Sequence, residues 1–220
     1  MSQKEREDLF PASDVVGGVL VGGQSSRMGT NKALLQLEKT SFVERVWKTL
    51  APFVVQRFLV TRHTFYLPSY PCLFDACERL GPIGAVWTLL RYARFVQSSF
   101  VLVLACDIPF ISAPFLERLL LIRRNNDCLA WIPCEQKSGI EQNLCAIYST
   151  KALPYFEKAI HEGVFALHRV IPREKKTFLF YDTQESALFF NINTPQDLEQ
   201  AKGIYSLCKE KKRGFPTPLF

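Results

Sequence analysis

The chain has 220 residues, 48% of them hydrophobic and 22% charged. That composition supplies a core and excludes disorder through most of the chain, and 11 Gly and 13 Pro without a period exclude a fibrous protein. With 27 Lys and Arg against 21 Asp and Glu the net charge is +6, a balance that suits nucleotides and other phosphate ligands as well as nucleic acid. Much of the excess lies in Lys209-Glu210-Lys211-Lys212-Arg213, a run that reads as a solvated tail rather than a nucleic-acid site.

The length suits one sizeable domain burying roughly 70% of its unfolded surface. No run approaches the ~20 apolar residues that cross a bilayer. The opening MSQKEREDLF has no apolar stretch and does not read as a secretory signal, so a cytoplasmic protein is expected. Seven Cys scattered without a C-x-x-C spacing give a zinc site no support and read as small buried hydrophobes. His63, His161 and His168 share no ligand spacing, and Trp47, Trp87 and Trp131 read as core.

In chain order, residues 1–14 read as a polar tail. Residues 15–21 form a buried strand broken by Gly17 and Gly18, followed by the loop Gly22-Gly23-Gln24-Ser25-Ser26-Arg27-Met28-Gly29. A helix is expected over about 40–50 with Ser41 as its cap, then strands at 57–61 and 72–74. Helical spacing returns over 82–94 behind Pro82. Residues 100–105 (FVLVLA) are apolar on both faces, as a central parallel strand should be. A helix over 113–124, strand-like stretches at 128–132 and 144–148, a helix over 151–161 and a strand at 178–181 follow. Thr194 caps a last helix with Pro195 at its first position and Asp197 at its third. Strands alternating with helices from 15 to about 202 predict one α/β domain with a mostly parallel sheet, flanked by tails at 1–14 and 203–220.

In such sheets ligands bind beyond the carboxyl ends of the strands. Two features lie there. The Gly22-Gly23 loop lets backbone amides approach an anion, with Arg27 and Lys32 adding positive charge, although it is neither a Walker A loop nor GxGxxG. A flexible turn with solvated Arg and Lys accounts for it equally well. Asp107 follows a fully apolar strand, where a carboxylate either holds a Mg²⁺ bridging phosphate oxygens or caps the next turn.

Four motifs, together and in order, resemble the molybdenum cofactor guanylyltransferases. Leu20-Val21-Gly22-Gly23-Gln24-Ser25-Ser26-Arg27-Met28-Gly29 with Lys32-Ala33-Leu34-Leu35 is similar to that family's signature loop. Asp75 with Gly81-Pro82-Ile83-Gly84 resembles its D…GPLxG segment, Cys106-Asp107-Ile108-Pro109-Phe110 its C-D-x-P-F, and Asn191-Ile192-Asn193-Thr194-Pro195-Gln196-Asp197-Leu198 its N-I-N-T-P-x-D-L. The departures are Asn31 for a usual Asp, Val21 for Ala, Thr61 near a usual Asn, and Asn143 for a common Pro before Leu-Cys-Ala-Ile-Tyr.

The resemblance implies a Rossmann-like three-layer α/β fold of the nucleotide-diphospho-sugar-transferase type. It implies an enzyme that transfers GMP from GTP to molybdenum-bound molybdopterin with Mg²⁺, releasing pyrophosphate. Leu20, Val21, Gly22 and Gly23 would meet the nucleotide through the backbone, and Arg27 and Lys32 its phosphates. Asp75, Gly81 and Asn193 would lie at the nucleotide, and Asp107 would bind Mg²⁺ and GTP. Other cofactor-synthesis proteins and acceptor apo-enzymes are further candidate partners; nucleic acid and membrane are not. A sister nucleotidyltransferase using CTP or another acceptor, and a non-catalytic nucleotide-binding protein, are the alternatives.

Overall fold

Strand β1, Val15–Val21, is buried along its whole length. Its residues alternate between two cores, as the twofold period of a strand requires. Val15, Val19 and Val21 face one core, Val16 and Leu20 the other. The first core is closed by helices α1 (Phe42–Leu50) and α3 (Ala113–Ile122), the second by α2 (Pro82–Phe95) and α4 (Leu153–His161). Helices on both faces of one sheet make three layers. This computed structural model describes residues 14–22, 32–62, 69–75, 80–123 and 128–214, without the side chains of Lys32 and of 207–214.

The remaining strands of the sheet are β4 (Gln56–Thr61), β5 (Cys72–Phe74), β6 (Phe100–Ala105), β7 (Ala130–Glu135), β8 (Cys145–Ser149) and β9 (Lys176–Tyr181). Their order is β5-β4-β1-β6-β8-β7-β9. Every pairing is parallel except those of β8, which runs against both β6 and β7. The expected mostly parallel α/β sheet is therefore present. The two-residue strands β2 (Gln36–Leu37) and β3 (Thr40–Ser41) form a separate hairpin, too short to register as a period in the sequence. Helix α5 is a single turn, Leu167–Val170.

Local signals set the helix starts. The Ser41 hydroxyl accepts from the Glu44 N–H at 3.3 Å and caps α1. Thr194 Oγ1 accepts from the Asp197 N–H at 3.1 Å, while Asp197 Oδ2 accepts from the Asn193 and Thr194 N–H groups, both at 2.8 Å. This reciprocal box begins α6, Pro195–Gly214, which continues through the first part of the segment expected as a basic tail. Among the described residues no helix is long and apolar enough to cross a membrane.

Gly17 and Gly18, which interrupt the apolar run but not the strand itself, mark close approach. A Cβ at Gly17 would stand 2.8 Å from Leu50 Cδ2 of α1, and one at Gly18 would stand 2.5 Å from Leu89 Cδ2 of α2. Gly18→Ala therefore overpacks the α2 face and should cost about 1–3 kcal/mol in urea unfolding. In a Leu89→Ala background the same change should cost far less, and equal costs in both backgrounds would refute the contact.

Candidate functional site

β1 leads to β4 and β5 on one side, and the chain then crosses to β6 on the other. The strand order reverses between β1 and β6, which are hydrogen-bonded neighbours with Leu20 opposite Ala105. A crevice opens at such a reversal, beyond the carboxyl ends of the strands. Along that edge the backbone forms a continuous row. Asp75 N donates to Thr61 O at 2.9 Å, Val21 pairs with Thr61, and Cys106 N donates to Leu20 O at 3.2 Å. The row thus brings Asp75, Thr61, Val21 and Asp107 to one edge in the order β5, β4, β1, β6.

Leu20 and Val21 are buried at 8% and 5% exposure, so their side chains belong to the cores and only their backbone faces the edge. Gly22 is exposed, and among the described residues no atom beyond its chain neighbours lies within 4 Å of where a Cβ would stand. Lys32 lies in a single 3₁₀ turn, Lys32–Leu34, its side chain outside the description. Gly23 and Arg27, and the Asn31 departure, fall outside the described residues.

Asp107 is half-buried at the end of β6. The amide of Asn191, oriented to satisfy its neighbours, donates to both carboxylate oxygens at 2.9 and 3.1 Å. The Ile192 N–H donates to Asp107 O at 3.2 Å. The N-I-N-T-P segment is thus brought to Asp107. Asn193, placed at the nucleotide by that resemblance, is exposed, and its N–H serves the α6 box. Asn191 was not singled out from the sequence, because its contact depends on a tertiary approach that no local spacing announces.

The other end of the row is different in character. The Asp75 side chain is 3% exposed, 3.4 Å from Nε of the part-exposed Arg62. Arg62 also reaches Gly81 O at 3.5 Å. Gly81 has φ +66° and precedes α2 as its N-cap. A Cβ at Gly84 would stand 2.9 Å from Asp75 Oδ1. The carboxylate therefore lies against the first turn of α2, where the helix dipole favours negative charge. Three strand spacings separate the ends of β5 and β6, about 14 Å. Asp75 and Asp107 thus stand at opposite ends of the row.

On the far side of β6, Ala105 N donates to Leu144 O at 2.8 Å, which sets the 141–144 segment beside the same edge. Here Lys176, its side chain 3% exposed, donates to Glu141 Oε2 at 2.9 Å and to His168 O at 2.8 Å. Asn143 Nδ2 also donates to Glu141 Oε2, at 3.3 Å, and the Tyr148 hydroxyl donates to Asn143 O at 2.8 Å. The departure from Pro at 143 is thus absorbed by a polar network around a buried ion pair. Burial raises the thiol pKa of Cys145, the adjoining residue of β8, so it stays a neutral core group.

Residues 17–177 match the family described as MobA-like NTP transferase domain. A probable molybdenum cofactor guanylyltransferase of Methanosarcina mazei is 32% identical over 84% of this chain and 88% of its own length. One from Flavobacterium johnsoniae is 29% identical over 82% and 92%. The crystal structure of molybdopterin-guanine dinucleotide biosynthesis protein A from Archaeoglobus fulgidus superposes with a TM-score of 0.69 at 28% identity, covering 87% of this chain and 98% of that one.

The packing of Gly84 on Asp75 makes a prediction that opposes helix propensity. Ala is about 1 kcal/mol better than Gly inside a helix. Gly84→Ala should nonetheless lower the melting temperature, because the added methyl displaces a buried carboxylate. In an Asp75→Ala background the same substitution should raise it. A rise in both backgrounds would show that the carboxylate does not occupy this position.

Proposed function

The chain belongs to the MobA-like NTP transferases, and on that premise we propose that it transfers GMP from GTP to molybdenum-bound molybdopterin, forming the guanine dinucleotide cofactor and pyrophosphate. The observation that carries this reading is Asp107, a half-buried carboxylate held at the strand reversal by Asn191, beside the exposed Gly22.

The reaction is an in-line displacement at the α-phosphorus. The acceptor's terminal phosphate is already ionised, so it needs no general base. The difficulty is charge, carried by two phosphate groups brought together and by the leaving pyrophosphate. The chain's answer is positional. Gly22 brings side-chain-free backbone to the phosphates at the end of β1, and Lys32 and Arg27 would add positive charge for them. The Asp75–Arg62–Gly81 turn lies about 14 Å away, a separation that suits the nucleoside end when the triphosphate lies at Asp107. The 141–144 segment, on the other side of β6, borders the acceptor.

Mg²⁺ at phosphates is held by one or two carboxylates together with phosphate oxygens and water, not by a protein cage. Among the described residues no three His, Cys, Asp or Glu side chains gather to hold a metal. A single carboxylate at the mouth fits the first arrangement and not the second. Asp107 would hold the ion, which when bound neutralises charge on the phosphates of GTP. The same reading places the reaction in the cytoplasm, with acceptor apo-enzymes or other cofactor-synthesis proteins receiving the product.

The test is Mg²⁺-dependent pyrophosphate release with molybdenum-loaded molybdopterin, run with GTP, CTP and ATP. Release with GTP alone is expected, reduced about 10²-fold or more in Asp107→Ala. Release with CTP in place of GTP would move the chain to a sister activity. Tight GTP binding without release would contradict transfer to this acceptor.

A further inference from the structure

We infer that Asn191 is a positioning residue for Asp107, fixing the carboxylate that receives the divalent cation without neutralising it. The inference rests on the proposed role of Asp107 and extends it to a residue in a different segment of the chain.

Three observations support it. The Asn191 amide reaches both oxygens of Asp107, at 2.9 and 3.1 Å, so it restrains rotation of the carboxylate as well as its place. The next residue holds the backbone of the same aspartate through Ile192 N–H to Asp107 O at 3.2 Å. The donor segment is itself anchored. Ile192 is fully buried with Leu37, Phe42 and Ala201, and the Thr194–Asp197 box fixes the chain two residues further on. Asn191 therefore approaches Asp107 from a rigid base although its own side chain is at the surface.

The chemistry of the pair explains why an amide suits the position. A carboxylate offers about four lone-pair sites on its two oxygens. The Asn191 amide nitrogen, shared between the two oxygens, takes up only part of that capacity. An Arg or Lys in the same place would hold the carboxylate equally well but would cancel the charge that attracts the metal. A neutral donor orients the ligand and leaves its charge in place, the usual task of groups behind a metal-binding side chain.

The test uses the full chain and Mn²⁺ as the probe, with GTP affinity measured calorimetrically with and without the metal. The wild type should bind GTP more tightly with Mn²⁺. Asn191→Ala should shrink that metal-dependent gain about tenfold, in line with other residues that orient metal ligands. Metal-free GTP affinity and melting temperature should stay unchanged. Asn191→Gln, which keeps the donors on a longer arm, should recover part of the gain. An Asn191→Ala protein with the full gain would overturn the inference. So would one whose metal-free affinity and melting temperature fall together with the gain, since that marks a purely structural role. If Asp107→Ala also keeps the gain, the reading of Asp107 falls and this inference with it. If Asp107→Ala loses the gain while Asn191→Ala keeps it, the inference alone falls.

Discussion

Leu89 of α2 packs where a side chain at residue 18 would stand, and Leu50 of α1 does the same at residue 17. This double close approach on β1 organises the molecule. It presses a helix onto each face of the strand at the centre of the sheet's parallel half and so fixes the strand's height between its neighbours. The end of β1 is thereby set level with the ends of β4 and β6, through Val21 opposite Thr61 and Leu20 opposite Ala105. Gly22 and Asp107 then emerge side by side at the reversal of strand order. A site that depends on the relative height of strand ends is placed by the packing beneath it.

Two carboxylates occupy the edge, and the structure gives them opposite environments. Asp75 is turned into the protein, against the first turn of α2 and the Arg62 guanidinium, where its charge is used to hold a turn. Asp107 is half-buried and takes its contact at both oxygens from a neutral amide. A carboxylate whose charge is satisfied internally has little to offer a cation, whereas one restrained by an amide still attracts it. The distinction follows from partners and burial along one edge of the sheet.

Much of this was legible in the sequence. The FVLVLA run announced a strand buried on both faces, so a carboxylate straight after it was conspicuous. Ser41 and Thr194 marked helix starts because capping chemistry is local. Other features were hidden for physical reasons. The β2–β3 hairpin has too few residues to show a period. Gly84 could be read as permitting a helix to start close to a strand, but not as making room for the Asp75 carboxylate. Asn191 stood inside a recognised motif, yet its role depends on the fold bringing that motif back to β6. The polar network around Glu141, Asn143 and Lys176 joins residues of three segments, and in the sequence Asn143 was merely a departure from proline.

The account turns on one claim, that the triphosphate and its cation lie at Asp107 while the nucleoside extends toward Asp75. Crystals grown with Mn²⁺ and a non-hydrolysable GTP analogue test it directly through the anomalous scattering of the metal. The account predicts a peak within coordinating distance of the Asp107 carboxylate and guanosine density on the β4–β5 side of the crevice. A metal peak at Asp75, or a triphosphate bound away from Gly22, would contradict it.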